Sequence, residues 1–172
     1  MRPLRHSGAP IHRKGPRQAR GPSFTIRPIM FNPSREEVRR FFCEAWRKQG
    51  ANEVLTPLEA IAVDWIRAHP EYHDQLADAE AAIAEEFTPE RGQTNPFLHL
   101  AMHLSIAEQV SVDQPRGIRQ AFEQLARRLD SPHEAHHQMM ECLGEMLWQS
   151  QRSGLPHDGE HYIACVQRRA RG

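Results

Sequence analysis

The sequence predicts an all-α fold, an antiparallel helical bundle of about six to seven helices behind a disordered basic N-terminal tail. Three observations carry this expectation. Every periodic stretch repeats its apolar residues at i, i+3, i+4 and i+7, and none alternates with period two. The starts of these stretches are marked by Ser, Thr, Asn or Asp, often with Pro next or Glu three residues on. The stretches share no fixed repeat length, which disfavours a solenoid and favours antiparallel packing through short loops.

The tail comes first. Residues 1–29, "MRPLRHSGAPIHRKGPRQARGPSFTIRPI", carry seven basic side chains and no acid, with Pro and Gly throughout and no periodicity. Disorder is the expectation. Three readings compete: an arm for nucleic acid or an acidic partner, an organelle transit peptide, and upstream sequence read in frame before a true start at Met30. The last is preferred, because "MFNPSREE" begins with methionine and runs straight into a helix cap. Residues 30–172 are expected to form a single helical domain.

In that domain each helix has a legible start. Ser34 and Glu37 form a capping box, and Val38, Phe41, Phe42, Ala45 and Trp46 make a buried stripe. Thr56, Pro57 and Glu59 open a second helix with Leu58, Ile61, Ala62, Trp65 and Ile66 on one face. Pro70 in "HPEYH" ends it and begins a third, carrying Leu76, Ala79, Ile83 and Phe87. "TPERGQT" reads as a loop. Asn95 and Pro96 begin the fourth, "NPFLHLAMHLSIAEQV", which reads as amphipathic with Met102, Ile106 and Val110 inward. A fifth follows Pro115, with Ile118, Phe122, Leu125 and Leu129 inward. Ser131, Pro132 and Glu134 repeat the box before a long sixth helix closed by Gly154, and Asp158 caps a seventh.

Bulk composition bounds the function classes. With 172 residues, 39% apolar and 26% charged, the chain fits a soluble globular protein with a real core. No apolar run is long enough for a bilayer, and no apolar leader follows the start, so no membrane partner is expected. Taking the seven basic residues of the tail from the 22 in the chain leaves 15 against 22 acidic groups. That acidic body argues against nucleic acid as a partner; a protein partner or a homodimer fits it better. Cys43, Cys142 and Cys165 are odd in number, far apart and without CxxC, which predicts free thiols and a cytoplasmic setting.

The chemistry-bearing feature is histidine. Of the 11 in the chain, nine lie beyond residue 30, and seven of those fall in three short stretches. His99 and His103, at i and i+4, share a helix face in chelating geometry. His133, His137 and Glu141 form a flanking stripe one turn apart, with His136 on the core stripe. His69 and His73 flank the Pro70 junction. Neutral imidazole suits Zn, Fe or Ni. The expected ligand set is therefore His73, His99, His103, His137 and Glu141. Glu134 and His137 also satisfy the Glu-x-x-His spacing of ferritin-like di-metal bundles, but only one such pair exists and Glu134 is claimed by the helix cap.

From Met30 onward the chain resembles a bacterial family known only as domain of unknown function 1841. The resemblance rests on "MFNPSREEVRRFF", "LTPLEAIAVDWIRAHPEYH", "NPFLHLAMHLSIAEQVSVDQPRGIR" and "ECLGEMLWQSQRSGLP", in that order across nearly all of residues 30–155. It implies a small cytoplasmic protein without an assigned activity, so it carries no catalytic residue over. His73, His99, His103, Glu108, Gln109 and His137 fall within its motifs.

Nucleophilic and nucleotide chemistry find no support. There is no G-x-S-x-G and no glycine-rich phosphate loop, and Cys142 sits among methionines. Two functions stand: a metal site in the bundle core, or a metal-free helical adaptor whose histidines make structural hydrogen bonds. They differ in geometry. A shared metal requires imidazole nitrogens of the two histidine helices to converge within about 4 Å, and a His99–His137 separation beyond about 10 Å excludes it.

Overall fold

A computed structural model of the chain describes residues 33–87 and 94–172. The basic segment 1–29, Met30 and most of the expected "TPERGQT" loop lie outside them. Among the described residues there are eight α-helices, one 3-10 turn and no strand: α1 (Arg35–Gly50), α2 (Pro57–Ala68), the turn Pro70–Tyr72, α3 (His73–Leu76), α4 (Ala79–Ala84), α5 (Pro96–Val112), α6 (Ile118–Leu129), α7 (Pro132–Ser153) and α8 (Gly159–Arg171). The helices pack as a bundle.

The start signals act as local chemistry predicts. Ser34 Oγ accepts from Glu37 N–H while the Glu37 carboxylate returns to Ser34 N–H, and Thr56 and Glu59 do the same for α2. Asn95 accepts from Phe97 and Leu98 N–H, and Asp158 from His161 N–H. Each bond satisfies a donor that the first turn leaves unpaired. Gly154, at φ 69°, closes α7 in the left-handed conformation that glycine adopts without penalty.

The expected third helix is two short ones. Asp78 breaks it, because its carboxylate accepts from Glu80 and Ala81 N–H and so starts α4 afresh. At the far end of α4 the guanidinium of Arg39, only 1% exposed, donates to the carbonyls of Ala82, Ile83 and Glu85 at 2.7, 3.1 and 2.7 Å. A buried cation on α1 thus caps the negative end of α4.

Two apolar clusters result. One joins α1, α2, α3 and α4 to the start of α5 through Phe42, Ile66, Leu76, Phe97 and Leu100. The other joins the later part of α5 to α6, α7 and α8 through Ile106, Leu125, Met139 and Val166. Helix α5 belongs to both. Its apolar residues face both clusters, so it lacks the single apolar face that its sequence suggests, and His99 and His103 stand on it as well.

The cysteines correct the expectation of three free thiols. Cys142 on α7 and Cys165 on α8 form a disulfide, and Cys43 alone is free and buried. No periodicity reveals that pairing; it needs the turn after Gly154 to lay α8 back along α7. No helix among the described residues is long and apolar enough to cross a membrane.

Candidate metal centre

The seam between the two clusters is where the histidines meet. His69 is the residue at which α2 ends; Pro70 cannot continue the helix, and the backbone at His69 (φ −124°, ψ 66°) leaves helical geometry. Its ring, 3% exposed, projects toward α5. His99 and His103 come from adjacent turns of α5. His133, His136 and His137 come from the first two turns of α7, immediately after the Ser131 cap.

The inner nitrogens converge. His69 Nε2 lies 2.8 Å from His103 Nε2 and 3.0 Å from His133 Nε2, and His137 Nε2 lies 3.2 Å from His99 Nε2. One ligand atom from each of His69, His99, His103 and His137 lies within 4.8 Å of every other. Across the two histidine helices, His99 and His137 fall inside the expected limit of about 4 Å, while the group of four is wider, at 4.8 Å.

The outer nitrogens have partners of their own. His69 Nδ1–H donates to Glu71 Oε1 at 2.8 Å. His103 Nδ1 faces His136 Nδ1 at 3.4 Å, and His137 Nδ1 lies 3.8 Å from Glu134 Oε2. Ser131 accepts Glu134 N–H as a helix cap, but the Glu134 carboxylate turns to His137. Trp65 of α2 closes the apolar side, with its ring centroid 4.0 Å from that of His103 and 4.2 Å from that of His136.

Burial sets the protonation. Desolvation, followed by the neighbouring imidazoles, lowers His99 to about 4, and desolvation with the same kind of neighbour lowers His136 to about 3. His103 and His133 are lowered for the same reasons. These rings are neutral near pH 7 and hold a lone pair each. The bond from His69 holds the Glu71 carboxyl below its ordinary range.

Three of the five ligands expected from sequence come together: His99, His103 and His137. The other two lie elsewhere. His73 Nε2–H donates to Ile66 O at 2.9 Å, satisfying a carbonyl at the end of α2, and its ring packs on Trp46. Glu141 is one turn beyond the cluster, where Arg169 of α8 takes its carboxylate at 2.6 Å. Glu108 and Gln109 are half-buried on α5, with Gln109 Nε2 donating to Ser105 Oγ.

The ligand set expected from the sequence leaves out His69 and His133, though both are among the histidines noted there, and Glu71 is not noted at all. His133 carried a usable signal, since it stands four residues before His137, the same spacing as His99 and His103. His69 carried a weaker one in its short His-Pro-Glu run.

The family model described as Domain of unknown function (DUF1841) covers residues 34–168, most of the chain, and the chain belongs to that family. No curated protein and no solved structure matches.

Proposed function

We propose that this member of the family binds a divalent transition metal, such as zinc, iron or nickel, through Nε2 of His69, His99, His103 and His137. One observation carries the reading: four inner nitrogens gather within 4.8 Å of one another, and two Nε2 atoms crowd the single lone pair that His69 keeps on its inner side. A neutral imidazole has one N–H and one lone pair. With the proton of His69 committed to Glu71, its Nε2 is a bare lone pair, yet two further Nε2 atoms approach it within 3.0 Å. A cation among them gives every lone pair the same partner. Carboxylates and carbonyls behind histidine ligands are the usual outer layer of metal sites, fixing tautomer and raising basicity. The donor set, all imidazole with no carboxylate, suits a borderline transition ion better than magnesium or calcium.

The test is elemental analysis of the full chain purified without chelator. One equivalent of a transition metal, lost in His99→Ala and His103→Ala, is the expected result. A metal-free protein that takes up no zinc, iron or nickel on addition, while keeping its helical circular dichroism, overturns the proposal. It would leave the histidines as a hydrogen-bonded network in a helical adaptor.

A further inference from the structure

Resting on the metal-binding reading above, we infer that His136, itself no ligand, is the positioning residue for His103. It donates to His103 Nδ1 when the centre is empty and accepts from it when a metal is bound, so loading moves the proton on both rings.

The empty state is fixed from one end. An ionised carboxylate only accepts, so the 2.8 Å bond to Glu71 places the His69 proton on Nδ1 and leaves Nε2 bare. His103 Nε2, the nearer of the two nitrogens at that lone pair, bonds there at 2.8 Å and so carries its own ring's proton. That leaves His103 Nδ1 bare. The group facing it, 3.4 Å away, is His136 Nδ1. In the empty centre His136 is therefore the donor.

A metal reverses the direction. An ion on His103 Nε2 takes the lone pair there, which puts the His103 proton on Nδ1. His136 Nδ1 must then be bare to accept it, with the His136 proton on Nε2. One proton leaves His103 Nε2 for solvent, one crosses from His136 Nδ1 to His103 Nδ1, and one reaches His136 Nε2 from solvent. Both rings stay neutral, and no proton is gained or lost in the exchange.

Burial explains why this partner is an imidazole. Behind His69 and His137 stand exposed carboxylates, Glu71 and Glu134. Behind His103, which is 0% exposed, stands His136, 4% exposed. Solvent does not stand in for a missing partner at that depth, and a buried polar atom left unpaired costs stability. A carboxylate there would only accept, which satisfies the loaded state alone. An imidazole nitrogen donates in one tautomer and accepts in the other, which satisfies both. Trp65 lies against both rings, with centroids 4.0 Å from His103 and 4.2 Å from His136, and Phe122 meets His136 edge-on at 5.3 Å. These contacts hold the rings in place, so that protons move and rings do not.

Nitrogen NMR of the full chain with isotope-labelled histidine distinguishes protonated from bare ring nitrogens. The expected result, on adding zinc to the metal-free chain, is that His136 exchanges a protonated Nδ1 for a bare one; loss of the two signals in His136→Asn assigns them. Competition for zinc against a chelator gives the second readout. His136→Leu fills the space without a polar atom and is expected to bind zinc about 10–100-fold more weakly. His136→Asn, whose amide presents either an N–H or a carbonyl, should recover most of that loss. The NMR result is read on the unsubstituted chain, so it decides even if His136→Leu fails to fold. Zinc uptake with the His136 proton unmoved overturns the role while leaving metal binding intact, as does a folded His136→Leu with the parent's zinc affinity. No zinc uptake at all overturns the metal-binding reading itself.

Discussion

Replacing Glu71 with alanine removes the acceptor of the 2.8 Å bond from His69 Nδ1 and touches nothing else in the ligand set. Two effects follow. The proton on His69 is free to move to Nε2, which converts a ligand nitrogen into a donor, and the imidazole loses basicity without an anion behind it. Loss of such an outer partner weakens metal sites by about 10–100-fold, or about 1.4–2.7 kcal/mol. The side chain of Glu71 is 56% exposed, so the metal-free fold should change by less than about 0.5 kcal/mol. Competition for zinc against a chromogenic chelator measures the first number and urea unfolding of the metal-free protein the second. Glu71→Gln, which keeps a neutral acceptor, should fall between. Unchanged zinc affinity in Glu71→Ala would refute the reasoning, and so would an affinity loss matched by an equal loss of metal-free stability.

Three other outcomes are expected. Trp65→Ala opens a cavity beside His103 and His136; since Trp65 is only half-buried, the cost should lie near the lower end of the aromatic range, about 3 kcal/mol by urea unfolding, and a cost under about 1 kcal/mol contradicts the packing described. Glu59, held at about 2 first by Lys48 and then by Thr56, has a folded value below its unfolded one, so its contribution is present above pH 4.5 and lost as pH falls toward 2. The stability gap between the parent and Glu59→Gln should shrink across that window, and a gap independent of pH rejects the assignment. Saturating zinc at about 100 times its dissociation constant should stabilise the fold by about 2.7 kcal/mol. Chelation should reverse this, and identical melting with and without zinc contradicts binding to the native state.

Helix boundaries were legible because their causes are local. Ser34 with Glu37, Thr56 with Glu59, Asn95 before Pro96 and Asp158 each act on an amide within three residues. The break at Asp78 was not legible, although its mechanism is the same, because no proline or glycine marks it and the apolar spacing runs on through it. Site residues divide along similar lines. His99, His103 and His137 follow from helix periodicity alone. Choosing His69 over His73 required the backbone angles where α2 ends, since those decide which imidazole turns toward α5 and which returns to Ile66 O. Glu141 stands on the right stripe of α7, and only the position of Arg169 on another helix removes it. The disulfide is of this second kind as well.

The double role of α5 connects these failures to the site. A helix with a core on each side cannot show its orientation in its own pattern, because its apolar residues are not confined to one face. Its two histidines are then the informative positions: they mark the strip of α5 that faces neither cluster but the seam between them. Into that seam come the end of α2 and the start of α7, the places where those helices can present imidazoles without breaking their own apolar stripes. Burying polar rings costs about 1–3 kcal/mol for each group left without a partner. Six imidazoles at one seam are therefore expensive for a bundle that needs only to pack, since leucine would fill the same space. N–H···N bonds from His136 through His103 to His69 and Glu71, and from His99 through His137 toward Glu134, can satisfy most of these nitrogens, but His133 is then left to compete with His103 for the one lone pair of His69. That crowded lone pair is the point at which a purely hydrogen-bonded core of six rings falls short.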